Sequence, residues 1–431
     1  MGLPCAPRSH QNSGFAGNIA LMPSSVRLIL QGARDFARNR FYLPSHLGVG
    51  VEDFVDIIAP PESVQDNEPH VQAAMTWLAR AQDATPDGGV SARYRLDRGW
   101  TPSYPETTGY IIPTLLEYSC KTGTQEWRER ARHMAEWLLS IQLPSGAFSG
   151  HDVSSRPKPV VFNTGQILYG LICAYQVFRS PEFLGAACKA GDWLVSVQDE
   201  DGAWRKCTYL NRPHSYHTRV AWPLLMLWSQ TGNGKYLNAA VRNLDWALSN
   251  VTDNGWIAAN GFRDNDNPYL HTIAYAASGF LESAIILKQL GQPSSSFEKY
   301  LHAAQQTAAA VMHRWEVRRY PYAQYDRNWK STVRFSCLTG NSQIAIIWMR
   351  LFQLFEDPRF LNAAIKINEF VKRTQNLASS NPGIRGGIKG SHPLWGQYIR
   401  LSYPNWSAKF FVDALLMEDN LLTTLYRAAG L

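Results

Sequence analysis

Residues 190–204 read AGDWLVSVQDEDGAW: a helical phrase that stops at a glycine and ends on a tryptophan. The phrase recurs as AAMTWLARAQDATPDGG at 73–89, HMAEWLLSIQLPSGAF at 133–148 and, more loosely, NLDWALSNVTDNGW at 243–256. Trp77, Trp137, Trp193 and Trp246 stand 60, 56 and 53 residues apart. A recurring period of this size marks a repeat with one helical hairpin per copy. About ten positions after each tryptophan a glycine gives the stop signal of a helix. Residues 297–315 and 359–375 continue the series, with apolar residues at three- and four-residue steps.

Six other stretches alternate with these, among them TTGYIIPTLLEYSCKTG at 107–123, NTGQILYGLICAYQVF at 163–178 and HTIAYAASGFLESAIILKQLG at 271–291. They are apolar around most of their circumference, as helices buried on both sides are, whereas the tryptophan-bearing set keeps a charged face. Twelve helices in alternation, half of them wholly buried, predict an all-α (α/α)6 toroid of six inner and six outer helices, because an open solenoid would leave the inner row wet. Pro113 and Pro223 are placed in the first turns of inner helices, where a missing N–H costs least. Residues 1–69 are read as an N-terminal extension packed on the toroid and 70–431 as the toroid itself, the catalytic domain.

A net charge of +7 over 431 residues is mild and comes with no nucleic-acid module, so nucleic acid is not an expected partner. The first 25 residues hold no apolar run of signal-peptide length, and no window approaches eighteen uninterrupted apolar residues; the cytoplasm and no stable membrane insertion are the expectation. The six cysteines show no metal-ligand spacing and read as reduced thiols; neither a metal nor a cofactor is expected.

The turns from inner to outer helices are short (KTGTQ, FRSPEF, QTGNGKY, FEDPRF), and the returning loops run to twenty or more residues rich in Tyr, Arg, Trp and His. Long loops on one face carry the site. At the start of the inner helices stand Tyr104–Glu106, Asn163, Tyr216–His217, His271 and Tyr403–Asn405. In a closed ring these starts share one end of the axis, so Glu106, Asn163, His217, His271 and Asn405 are expected to converge. Thr108, Thr164, Thr218 and Thr272, spaced 56, 54 and 54 residues, fit a role as helix caps. Glu106, His217 and His271 are poor caps, which makes them catalytic candidates together with Tyr216. The helix N-termini favour an ionised Glu106 and neutral imidazoles.

Tyr104, Asn163, Arg205, Arg219, Arg263, Asp264, Tyr325, Trp329, Tyr403 and Asn405 are the candidate substrate-binding residues. Rings beside guanidinium groups suit sugars that carry carboxylates: the ring stacks and the anionic edge pairs with Arg. Arg93 and Asp152 belong to the same loop inventory.

The alternating hairpins with Trp-Leu outer helices, over residues 70 to 418, resemble the (α/α)6-toroid carbohydrate-active enzymes: unsaturated glucuronyl hydrolases, polysaccharide lyases and glucuronyl C5-epimerases. QDEDGAW and QLPSGAF are also similar to the Q-x-x-x-G-x-W turns of squalene-cyclase repeats, although DNDN at 264–267 is a poor match to the DxDD acid motif of that family. The first resemblance implies an acidic poly- or oligosaccharide as substrate, in cell-surface polysaccharide metabolism. Two chemistries stay open. One is proton abstraction by His217, His271 or a tyrosine, with Asn163 or an arginine on the carboxylate; the other is hydrolysis with Glu106 as acid and Asp264 or Asp152 as partner. The alternatives are a toroid that binds glycan or peptide without turnover and a terpenoid-cyclase-like protein.

Overall fold

The computed structural model describes residues 44–58, 66–263, 266–316 and 321–428. Helix α1 (Pro44–Ile58) precedes the ring. The outer helices are α2 (Asn67–Asp83), α4 (Gln125–Ile141), α6 (Pro181–Ser196), α8 (Gly234–Leu248), α10 (Glu298–Glu316) and α12 (Pro358–Arg373). The inner helices are α3 (Pro105–Thr122), α5 (Val161–Phe178), α7 (Thr218–Thr231), α9 (Leu270–Gln289), α11 (Leu338–Phe355) and α13 (Asn405–Ala428). Each inner helix packs on the next, and α13 returns to α3. Each also pairs with the outer helix that follows it, except that α13 takes α2 as its partner, so the ring closes between the two ends of the chain.

The quoted turns explain the closure. Gly146, Gly202 and Gly255 have φ of 90°, 89° and 76°, and a Cβ on any of them would lie within 2.8 Å of the backbone of the next outer helix. Only glycine combines that conformation with that approach. The glutamine four residues earlier adds a staple: Gln142 Nε2 donates to Gly146 O and Ala186 O, and Gln198 Nε2 to Gly202 O and Ala239 O. Gln375 does the same across the seam, from Gly386 O to His70 O of α2. The Q-x-x-x-G pattern is therefore explained by stapling between outer helices. At the seam Asn67 Nδ2 and Asn368 Nδ2 both donate to the buried Glu418.

The inner ring is tight where small residues face each other. A Cβ on Gly170 of α5 would sit 2.0 Å from Gly109 O of α3. Overpacking of this kind costs roughly 1–3 kcal/mol, sometimes more. Gly170→Ala is expected to lower stability by about 3 kcal/mol in urea denaturation, because the clash is with backbone that no rotamer can relieve. An unchanged unfolding midpoint would refute the contact.

Two expectations are corrected. Pro113 is in the third turn of α3 and Pro223 in the second turn of α7, neither in the first, and the Pro113 ring lines the axis. The threonines do not cap their helices. Thr108 Oγ1 and Thr164 Oγ1 instead accept from Val90 N and Phe148 N, tying the incoming loop to the inner helix; Thr218 Oγ1 donates to Ala276 O of α9.

On the loop face, strands β1 (Arg93–Arg95), β2 (Gly99–Trp100) and β5 (Ser402–Pro404) form a sheet of order β2-β1-β5, and β3 (Ser336–Cys337) pairs with β4 (Ser391–His392), all antiparallel. Helix α1 docks on this face through buried charge. Asp53 pairs with Lys389 and, at 3.3 Å, with His392 Nδ1, while His392 Nε2 lies 3.1 Å from Asp56. Helix α9 is long and apolar enough to cross a membrane, but 78% of its apolar window is buried in the ring.

Candidate functional site

The register of the inner helices sets side chains in tiers down the axis. One helical turn separates Glu106 from Tyr110, His271 from Tyr275, and Trp406 from Phe410, because residues four apart share a face. Glu106, His271 and Trp406 make the upper tier and the three rings the next.

Glu106 is 9% exposed and accepts a 3.1 Å hydrogen bond from Tyr104 Oη. Burial pushes its carboxyl up to about 7, and the Tyr104 hydrogen bond only partly offsets this. Its charge is felt by the phenols of Tyr104, Tyr110, Tyr216 and Tyr275, all held above their ordinary range mainly by burial. The ionised Glu106 expected from the helix dipole is therefore corrected: desolvation outweighs the dipole, and at neutral pH a large share carries a proton.

His271 Nδ1 lies 3.0 Å from Gln343 Oε1, an acceptor, so Nδ1 carries the hydrogen and Nε2 presents a lone pair. Burial is the main cause that lowers its pKa to about 4, with Arg219 adding to it. Its ring is 4.3 Å from Tyr275 and 5.4 Å from Tyr398. Asn163 stands beside Tyr104, and Tyr104 is 6.4 Å from Trp406, whose Nε1 donates to Tyr398 Oη. Tyr104, Phe162 and Trp406 keep part of their surface in solvent and rim the mouth. Half-buried Arg93, within electrostatic reach of Tyr104 and Asp152, forms no ion pair within 4 Å among the described residues.

The remaining candidates divide. His217 is 1% exposed behind Phe162, Trp204, His214 and Tyr216, and burial lowers its pKa far below the ordinary value. Tyr216 stacks on His214 at 4.6 Å and touches Phe162. Arg219 lies deeper on the axis, its guanidinium on Ser278 Oγ and Gln166 Oε1. Other candidates are used up in structure. Asn405 Nδ2 donates to Ser91 O and Thr107 Oγ1, so it does not join the convergence. Tyr403 is a buried residue of β5; Tyr325 Oη accepts from Tyr322 N; Trp329 Nε1 donates to Asn254 O. Arg205 is engaged at the surface by Asp201 and Asp199, and the Arg263 side chain is exposed. Asp264 lies outside the described residues.

Reading the loops overlooked Tyr110, Tyr275, Phe410, Gln343 and Tyr398. The first four sit in apolar helices and look like core; the signal that finds them is their position one turn below the upper tier. Among the described residues no group of three or more His, Cys, Asp or Glu is placed to hold a metal.

No family model and no curated protein matches this chain. Among solved structures it is similar to an unsaturated glucuronyl hydrolase specific for heparin, with TM-score 0.65 and 16% identity over 83% of this chain and 98% of that one. It is also similar to a cellobiose 2-epimerase from Bacillus thermoamylovorans, with TM-score 0.64 and 13% identity over 81% and 97% of the two chains. A D-mannose isomerase matches at TM-score 0.62 and 13% identity over 82% and 97%. At these identities the likeness is one of fold, and it agrees with the ring traced above: the chain is an (α/α)6 toroid.

Proposed function

We propose that this toroid is a carbohydrate-active enzyme that works on an acidic, uronate-containing oligo- or polysaccharide by proton transfer, as an epimerase or lyase does. The observation that carries the reading is the occurrence of two titratable groups at the starts of inner helices on the loop end of the ring: Glu106, buried with its carboxyl pushed up to about 7, and His271, buried, neutral and oriented by Gln343. An acid and a base with pKa values pushed apart by their surroundings are what proton abstraction beside a carboxylate needs. Tyr104, Phe162 and Trp406 offer ring faces at the mouth, and Arg93 offers a cation for the uronate carboxylate.

The fold likeness to a glucuronyl hydrolase, a cellobiose epimerase and a mannose isomerase supports a sugar as substrate. Hydrolysis by two carboxylates has weaker support. Asp152, the loop acid described near the mouth, is engaged by Ser154 and Ser155 of its own turn. The place of action is a pathway that builds or remodels such polysaccharides, in the cytoplasm.

The test is a product assay. Uronate oligosaccharides incubated with the protein are expected to gain unsaturated ends or inverted C5 centres by proton NMR. His271→Ala is expected to lower that turnover by about 10²–10⁴-fold, the usual share of one acid–base group. New reducing ends without unsaturation would assign hydrolysis, and full activity of the His271 variant would remove the proton-transfer reading.

A further inference from the structure

Beneath the upper tier the axis opens into a cavity of about 210 Å³. Its wall includes Arg219, Trp222, Tyr169 and Lys409, with Tyr275, Phe410 and Gln343 as its roof; Glu106, His271 and Trp406 do not line it. Glu117, Arg350 and Met417 line both this cavity and a surface groove formed with the last turns of α11 and α13. Those turns lie at the end of the ring away from the long loops, so the chamber is reached from the short-turn face.

The charges inside are not all paired. Arg350 is bound at both ends of its guanidinium to Glu282, at 2.9 and 2.8 Å, and Lys409 is paired with Asp413. Glu117 is pushed up to about 7 by burial and by Asp413, so at neutral pH it carries only part of a charge. Arg219 is 5% exposed and has neutral partners only, Ser278 at 3.1 Å and Gln166 at 3.4 Å. Its Nε has no hydrogen-bond partner, and no carboxylate lies within 4 Å of it among the described residues. A buried guanidinium without a counter-charge is costly, and an anion that supplies two acceptors removes the cost.

The rest of the wall says what else the anion carries. Arg219 lies 4.7 Å over the Trp222 ring, and Trp222 meets Tyr169 at 4.6 Å with their planes 44° apart, so two rings stand next to the cation. Ser278 and Thr114 add hydroxyls. The volume is below the roughly 300–1,000 Å³ of drug-sized ligand sites, which excludes an oligosaccharide and suits one ring.

We propose that this chamber is a second ligand site, entered from the short-turn face, for a carboxylate-bearing sugar of single-ring size. The carboxylate binds Arg219 and the ring lies on Trp222 and Tyr169. The site lies one tier below the mouth and shares Tyr275, Phe410 and Gln343 with it, but its existence does not depend on the chemistry assigned there.

The experiment is calorimetric titration with D-glucuronate, and with D-glucose as the neutral control, on the Arg93→Gln chain, which silences carboxylate binding at the mouth. D-glucuronate is expected to bind this chain and D-glucose to bind it roughly tenfold or more weakly, a loss of about 1.4 kcal/mol or more. Adding Arg219→Gln is expected to weaken D-glucuronate by a similar factor. Met417→Trp, a partly exposed rim change that narrows the entrance, is expected to do the same and decides the matter if the Arg219 variant does not fold. Glucuronate binding that ignores the rim variant, equals glucose binding, or is absent from the Arg93→Gln chain overturns the site. A failure of the mouth chemistry would show instead in the product assay, with these titrations unchanged.

Discussion

Glu106→Gln is expected to lower kcat/KM on the proton-transfer substrate by about 10²–10⁴-fold and to erase the alkaline limb of its pH profile. Glu106 opens an inner helix at the mouth, and desolvation raises its carboxyl to about 7 although Tyr104 donates to it. As the acid it must hold its proton, so activity falls as pH rises through about 7. His271 must be neutral to act as base, so activity falls as pH drops through about 4. The wild-type profile of kcat/KM is therefore a bell between these two values, falling about tenfold per unit beyond each. Glutamine keeps the shape and the acceptor for Tyr104 but has no proton to give at any pH. Loss of rate should come with a profile that is flat above neutrality. A Glu106→Gln chain that keeps both its rate and its alkaline limb would assign the acid to another group.

The largest effect on stability is expected from Asp53→Ala, which should cost about 3–5 kcal/mol, the range for breaking a buried ion pair by removing one partner. The side chain is 1% exposed. Burial alone would raise its pKa, but Lys389 and His392 outweigh that and hold it far below the ordinary 3.8. His392 is the reverse case: burial would lower it, and Asp53 and Asp56 raise it above 6.5. The groups that face one another are thus Asp53 and Asp56 of α1 against Lys389, His392 and Arg373 of the ring. The Asp53 contribution is present above pH 3.8 and is lost as pH falls through its lowered folded value. The His392 contribution is fully present below 6.5 and is lost as pH rises through its raised one. Docking of α1 should be tightest between those limits. Hydrogen exchange of the α1 amides against pH measures it; protection that Asp53→Ala leaves unaltered would show that this cluster does not hold the helix.

The helical repeat could be read directly because its signals are local. Trp77, Trp137 and Trp193 are buried at matching points of three outer helices, and each is followed by a glutamine and a glycine whose roles follow from backbone geometry. A glycine at positive φ against a neighbouring helix leaves the same mark in every copy. The entrance residues were legible in register for the same reason. Their directions were not. Glu106 and Asn405 both sit at the start of an inner helix, yet one faces the tyrosine cluster and the other turns to Ser91 O and Thr107. Tyr403, Tyr325 and Trp329 have the composition of a sugar site and serve the packing of the loops.

By itself, then, the sequence determined the helical alternation, the count of hairpins and the end of the ring at which polar residues gather, because each depends on spacing along one helix. Only the tertiary structure decided that the Glu106 carboxyl is pushed up to about 7, that Gln343 orients His271, and that Arg219 faces a chamber without a counter-charge. Those properties arise from desolvation and from partners 53 to 72 positions away in the chain, which come together when neighbouring inner helices pack, α5 on α7 and α9 on α11.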